Sequence, residues 1–221
     1  MGSREYGVLL KTFTASPHKF SVLTRSLGKI LLVVLDQRQA LRLRPGMMIM
    51  FWVERAAEDM YTVEHVELLY VPNQTELADV YWTAHLLELC YFFIPLRQPD
   101  EGYWFFLING FLLLDYRWYV DEVLWERLKR LYTGAVLAYL GFFPSEGVVA
   151  GLHAIQPALE RFIDFTHEQK VEFFNTCAKV VHGVPAVQLD QWLLHCIQTH
   201  PRAHMFKTVA FVYHSPTHEV R

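Results

Sequence analysis

The spacing of apolar residues changes once along this chain, and that change divides it. Up to Pro72 the apolar side chains alternate or run in short β-branched blocks; from Glu76 onward they recur every three to four residues. In the first part, Tyr6 to Phe13 alternates large and variable side chains. Phe20, Val22 and Thr24 alternate against Lys19, Ser21 and Leu23, the two-residue period of a half-buried strand. Ser26-Leu27-Gly28-Lys29 supplies a turn, Ile30 to Leu35 is a continuous β-branched and leucine run, and Met47 to Val53 follows the Pro45-Gly46 break. A fifth strand spans Met60 to Val71. There Tyr61 and Val63 face one side and Val66 and Leu68 the other, a phase slip that predicts a β-bulge. Five strands joined by basic turns read as a small β-barrel, either one that grips single-stranded nucleic acid or a half-barrel packed on the rest of the chain with no ligand.

Pro72-Asn73-Gln74 interrupts the strand pattern, so residues 1–73 form the predicted barrel domain and residues 74–221 an α-helical one, an α+β chain overall. Leu77, Val80, Tyr81, Ala84, Leu87 and Tyr91 fall on one helical stripe that ends before Pro95. A second helix runs from Pro99-Asp100-Glu101 to about Leu114. Asp121 is the expected N-cap of a third, with Leu124, Leu128, Leu131, Ala135 and Tyr139 as its stripe and Gly141 and Pro144 as its end. Pro157 marks a helix start, Thr166-His167-Glu168-Gln169 is a capping box for a helix that Gly183 closes, and another helix runs from about Val187 to Pro201. Thr208 to Tyr213 reads as a short strand.

Composition narrows the function classes. With 221 residues, 52% of them hydrophobic, the chain has ample material for packed cores. The apolar run from Trp104 to Leu114 is far short of the roughly 20 residues a membrane-spanning helix needs, and Met1 to Tyr6 lacks the apolar core of a secretory signal. The expectation is a cytoplasmic protein with reduced thiols at Cys90, Cys177 and Cys196 and no membrane association. The net charge of −3 is uneven: residues 1–72 hold nine Lys/Arg against seven Asp/Glu, and residues 73–221 hold eleven against sixteen. Neither balance drives the whole molecule onto nucleic acid, so any such binding needs a local basic patch.

The order of these features resembles the RecO family of recombination mediators, and the resemblance covers residues 5 to about 143. Leu9-Leu10-Lys11-Thr12 and Leu23-Thr24-Arg25-Ser26-Leu27-Gly28-Lys29-Ile30 resemble that family's first strands and turn. Leu43-Arg44-Pro45-Gly46 stands where the family writes Leu-Gln-Pro-Phe, Leu86-Leu87-Glu88-Leu89 matches its Leu-Leu-Glu-Leu helix, and Pro99-Asp100-Glu101 matches the start of the next helix. Arg130 and Leu137-Ala138-Tyr139-Leu140-Gly141-Phe142 resemble its Arg-Arg-Phe-Glu helix ending in Leu-Gly-Tyr. The chain departs from the pattern at Leu35-Asp36-Gln37-Arg38, where the family usually has Lys-Gly-Ala-Arg, at Thr133 in place of a glutamate, and in having no four-cysteine zinc module. The resemblance implies a five-stranded OB-fold barrel followed by a helical domain. It implies a mediator that binds and anneals single-stranded DNA and, with RecR, assists recombinase loading on strands coated by single-strand-binding protein.

Strand binding needs cations along the phosphates and aromatic faces for the bases. The candidate cations are Lys11, Lys19, Arg25, Lys29, Arg38, Arg42 and Arg44; Phe13, Phe20, Phe51 and Trp52 are candidate stacking faces or simply core. Arg38, Arg42 and Arg44 crowd one loop with Asp36 as the nearby acid, and a solvated strand face is the plainer account of the whole set. In the helical part, Arg127, Lys129 and Arg130 lie beside the third helix's apolar stripe, where the family resemblance implies a seat for the acidic, hydrophobic C-terminal tail of single-strand-binding protein. An ordinary charged helix face, with Glu126 three residues before Lys129, fits them equally. His195, Cys196, His200 and His204, with Cys177 and His182 upstream, are metal-like in type, but Pro201 separates His200 from His204. With no phosphate loop, nucleophile elbow or dinucleotide fingerprint either, neither a metal, a cofactor nor an enzymatic activity is expected. A protein-interaction adaptor that kept the fold and lost the DNA surface is the alternative, suggested by Leu35-Asp36 and the acidic helical part.

Overall fold

A computed structural model describes residues 3–53, 55–57, 60–74, 76–142, 144 and 146–213. It is α+β, and it divides into two compact units, Met1–Asn73 with Leu86–Trp104, and Gln74–His85 with Phe105–Arg221.

The first unit is built on a curled seven-stranded sheet in the order β5-β6-β3-β2-β1-β4-β7. The strands are β1 Arg4–Phe13, β2 Ser16–Thr24, β3 Gly28–Val34, β4 Met48–Trp52, β5 Arg55–Ala57, β6 Met60–Val63 and β7 Val66–Tyr70. Seven strands stand where the alternation predicts five, because one long hairpin is interrupted on both arms. Its register runs on from Ala57↔Met60 and Arg55↔Thr62 to Phe51↔Val66, so β4 with β5, and β6 with β7, are the two arms of a single ribbon. The break between β6 and β7 falls at Glu64 and His65, within the expected phase slip. That break lets β6 pair in parallel with β3 while β7 pairs antiparallel with β4, which itself pairs with β1. The two arms thereby link the strands on either side of β1 and β2 into one circuit around a core of Leu9, Phe20, Val22, Ile30, Leu32 and Phe51, each no more than 1% exposed. The short helix α1, Gln37–Ala40, is capped by the Asp36 carboxylate and supplies Ala40 to that core.

The opposite side of β1 and β2 is covered as well, with Val8, Ser21 and Leu23 fully buried. Segment 86–104 is tied to this unit at β3. Lys29 Nζ donates to the Tyr91 carbonyl at 2.5 Å, Arg97 N donates to Lys29 O at 2.8 Å, and Arg25 pairs with Glu101 at 3.1 Å. Gly28 shows how close this approach is. Its φ is +70°, and a Cβ there would lie 2.3 Å from the Gln98 carbonyl oxygen. Gly28→Ala is therefore expected to lower unfolding free energy by about 1–3 kcal/mol. Urea denaturation tests this, and a change under about 0.5 kcal/mol, typical of an unremarkable surface site, would contradict the close approach.

The remaining helices are α2 Leu77–Phe93, α3 Glu101–Leu114, α4 Glu122–Tyr139, α5 Glu146–Glu160, α6 His167–Gly183, α7 Ala186–Gln198 and α8 Val209–Tyr213. In the second unit α4 is central. Asp121 caps it by accepting from Leu124 N at 2.8 Å, Leu128, Leu131 and Ala135 are buried, and Gly141 beyond its end has φ +93°. The capping box also forms, with Gln169 N donating to Thr166 Oγ1 and Thr166 N to Gln169 Oε1.

Three sequence expectations are corrected. The α2 stripe is displaced: Leu77 is 67% and Val80 39% exposed, while Asp79, Trp82, Thr83, His85 and Leu86 are buried. Apolar residues surround this helix, so periodicity alone does not choose its inner face. Pro157 lies inside α5, in its last turn, rather than at a helix start. The segment after Thr208 is helical, with Phe211 N and Val212 N both donating to Thr208 O. Its Phe211 ring stacks on Tyr81 at 4.2 Å. A lone strand among helices would leave its backbone groups without ladder partners.

Candidate nucleic-acid interface

The seven candidate cations of the first unit separate into different environments. Lys29 is 7% exposed and holds segment 86–104 through Tyr91, so it is an internal tether and not a phosphate contact. Arg25 is exposed but faces Glu101. Lys11 Nζ lies 4.4 Å from the Tyr91 ring centroid and 5.9 Å from that of Phe13, and Lys19 Nζ lies 5.8 Å from the Phe13 centroid. These two ammonium groups and Phe13 form a half-buried cation–π cluster at the β1–β2 hairpin. Phe20 and Phe51 are core, whereas Trp52 is 41% exposed.

Arg38, Arg42 and Arg44 are exposed and, among the described residues, form no salt bridge. The reason lies in Asp36. Its carboxylate turns onto the start of α1, accepting from Arg38 N at 2.9 Å and Gln39 N at 3.2 Å, and so does not neutralise the guanidinium groups. Arg44 is fixed at the other end of the turn, Nη1 donating to the carbonyls of Leu41 at 2.6 Å and Leu43 at 2.8 Å.

Beside these arginines an open cleft of about 160 Å³ lies between the start of β2 and α1, lined by Pro17, His18, Gln37, Ala40 and Leu41. Gln37, Ala40 and Leu41 are spaced i, i+3, i+4, so one side of the α1 turn forms one wall. Leu41 is 60% and Leu35 55% exposed. The sequence reading passed over His18, Gln37 and Leu41. An unpaired leucine set among Gln37, Arg38, Gln39 and Arg42 was the available signal.

In the second unit two of the three cations expected to face a partner are engaged within the protein. Lys129 is 4% exposed, with Nζ 3.2 Å from Asp79 Oδ1 and 2.5 Å from Glu126 Oε1. Arg130 Nη1 bonds Asp190 Oδ2 at 2.6 Å, its side chain 16% exposed. Both are corrected from free partner contacts to internal pairs, because α2 and α7 each bring an aspartate to α4. Arg127 is half-buried and, among the described residues, in no salt bridge.

A second polar cluster escaped the sequence reading. His85 is fully buried on α2, with Nδ1 2.8 Å from Thr208 Oγ1 and Nε2 3.0 Å from Tyr213 OH. Burial pushes its pKa down to about 3, so the ring is neutral. The Tyr213 phenol is pushed upward, chiefly by burial and then by the Asp190 charge. Burial also drives the thiols of Cys90 and Cys177 up to about 12 and that of Cys196 to about 11, which keeps them protonated and poorly nucleophilic. Among the described residues no three His, Cys, Asp or Glu side chains gather as a metal site; the His182 side chain lies outside that description. No described helix is long and apolar enough to cross a membrane. No protein-family model and no curated protein matches this chain.

Proposed function

We propose that this chain is a RecO-like recombination mediator of the cytoplasm. It is non-enzymatic, binds and anneals single-stranded DNA, and acts with RecR to place recombinase on strands coated by single-strand-binding protein. The observation that carries this reading is the strand circuit of the first unit. Antiparallel β1–β2–β3, parallel β3–β6, a hairpin returning to β4, and β4 on β1, with a short helix between β3 and β4, supports reading this unit as an OB-fold-like barrel. Helices follow it in the order of the RecO resemblance. The strand-binding face is the exposed turn bearing Arg38, Arg42 and Arg44, extended by the Lys11–Phe13–Lys19 cluster, while Lys29 has no part in it. For the tail of single-strand-binding protein, Arg127 is the remaining candidate on α4.

Fluorescence anisotropy of a labelled, unstructured strand at several salt concentrations tests the reading. Changing Arg38, Arg42 and Arg44 together to Ala is expected to weaken binding and flatten the slope of log K against log salt by about 2, since each phosphate contact on a single strand contributes about 0.7. Unchanged affinity and slope would refute this face.

The withdrawal of Lys29, Lys129 and Arg130 into internal contacts favours a second reading, an adaptor that kept the fold without the DNA surface. It expects little salt-dependent strand binding in the same titration.

A further inference from the structure

We propose that the cleft between the start of β2 and α1 is a slot for one unstacked base of a single strand, a proposal that rests on the mediator reading and locates where that strand is gripped. Size comes first. Pockets for drug-sized ligands run to about 300–1,000 Å³; at about 160 Å³ this cleft suits one ring system, not a whole nucleotide or a folded partner. Its walls have the matching chemistry. The His18 ring and the apolar surfaces of Pro17 and Leu41 offer contact to a base face. The Gln37 amide offers both donors and an acceptor to a base edge.

Charge selects the occupant. A base in a strand has a phosphate on either side, so a slot for it needs cations at more than one point of its rim. Arg38 and Arg42 flank the lining residues of α1, and Arg44 is pinned to the carbonyl of Leu41, itself a lining residue. Lys19, next to His18 in β2, holds its ammonium over Phe13 with that of Lys11 on the opposite side of the strand, so the cations at the rim of the slot are the three arginines of the α1 turn. A peptide with a single terminal carboxylate would use one of these cations and leave the rest without a partner.

The test uses the full chain and two labelled probes of equal length and charge, an oligothymidylate and a wholly abasic strand. The wild type is expected to bind the base-bearing strand roughly 5- to 150-fold more tightly, the range for stacking of one base. His18→Ala with Gln37→Ala is expected to remove most of that preference while leaving the salt slope unchanged, because the arginines remain. Leu41→Gln, which puts a neutral polar group in the mouth of the cleft, is expected to do the same. Preference retained in both variants, or no preference in the wild type, overturns the slot. So does an acidic, aromatic-ended peptide that binds the wild type but not the double variant and leaves strand binding undisturbed. Strand binding without base preference removes the slot alone, whereas no strand binding at any salt removes the mediator reading with it.

Discussion

Lys129→Ala is expected to cost about 3–5 kcal/mol of unfolding free energy, the range for leaving a buried charge without its partner. Asp79 is 1% exposed and Lys129 4%, and Asp79 Oδ1 accepts from both Lys129 Nζ and Trp125 Nε1, the latter at 2.8 Å. Asp79 Oδ2 is buried with no hydrogen-bond partner among the described residues. Truncating Lys129 thus leaves a buried carboxylate with one indole donor. Asp79→Asn is expected to cost less, because the amide oxygen keeps the indole bond and Lys129 keeps Glu126 at 2.5 Å. Replacing the pair together, Lys129→Met with Asp79→Leu, is expected to recover only part of the loss, since an apolar pair avoids the desolvation of two ions but leaves the Trp125 indole N–H without its acceptor. Chemical denaturation of the three variants reads this directly. A Lys129→Ala cost below about 1 kcal/mol, the range of exposed pairs, would show that the pair is not desolvated.

The second large effect is a loss of stability on acidification that depends on His85. Its folded pKa of about 3 lies below the ordinary 6.5, so the folded protein holds the ring neutral while the unfolded chain takes up a proton. The stabilisation is therefore complete above pH 6.5 and declines as pH falls from 6.5 toward 3, with a limiting slope of about 1.4 kcal/mol per pH unit. The groups facing this cluster are Thr208, Tyr213 and, around the phenol, Asp190, Arg130 and Cys196. Burial raises the Asp190 pKa against the opposing pull of Arg130, so its own linkage has the opposite sign. Asp190 is common to wild type and a His85 variant, so the difference between the two isolates the histidine. Wild type and His85→Gln are compared by unfolding from pH 6.5 to about 5. The wild type is expected to lose about 2 kcal/mol more than the variant. Parallel curves would mean that His85 reaches solvent in the folded state.

Both effects arise at groups that the sequence reading placed elsewhere or passed over, and the reason is physical. Asp79, Trp82 and Leu86 occupy the i, i+3, i+7 positions of the inner face of α2. Polarity as a guide rejects a stripe containing an aspartate and favours Leu77, Val80 and Tyr81 in its place. Nothing near Asp79 in sequence announces its partner: Lys129 lies fifty residues away on α4 and meets it only when the helices pack.

Local chemistry, by contrast, was legible. Alternation in Phe20, Val22 and Thr24, the blocks at Ile30 to Leu35 and Met47 to Val53, the Asp121 cap and the Thr166 capping box each depend on residues a few positions apart, and each formed. The slip between Val63 and Val66 was readable for the same reason, but it takes the form of a strand break at Glu64 and His65 in an unshifted register, not of the expected β-bulge. What only the tertiary structure decided was the use of each charge and the closing of the sheet. Parallel pairing of β3 with β6 joins segments separated by the whole β4–β5 arm. Whether an arginine or lysine meets solvent, as Arg38 does, or an internal carbonyl or carboxylate, as Lys29, Lys129 and Arg130 do, depends on which distant element packs beside it, and a single chain of letters carries no coordinate for that.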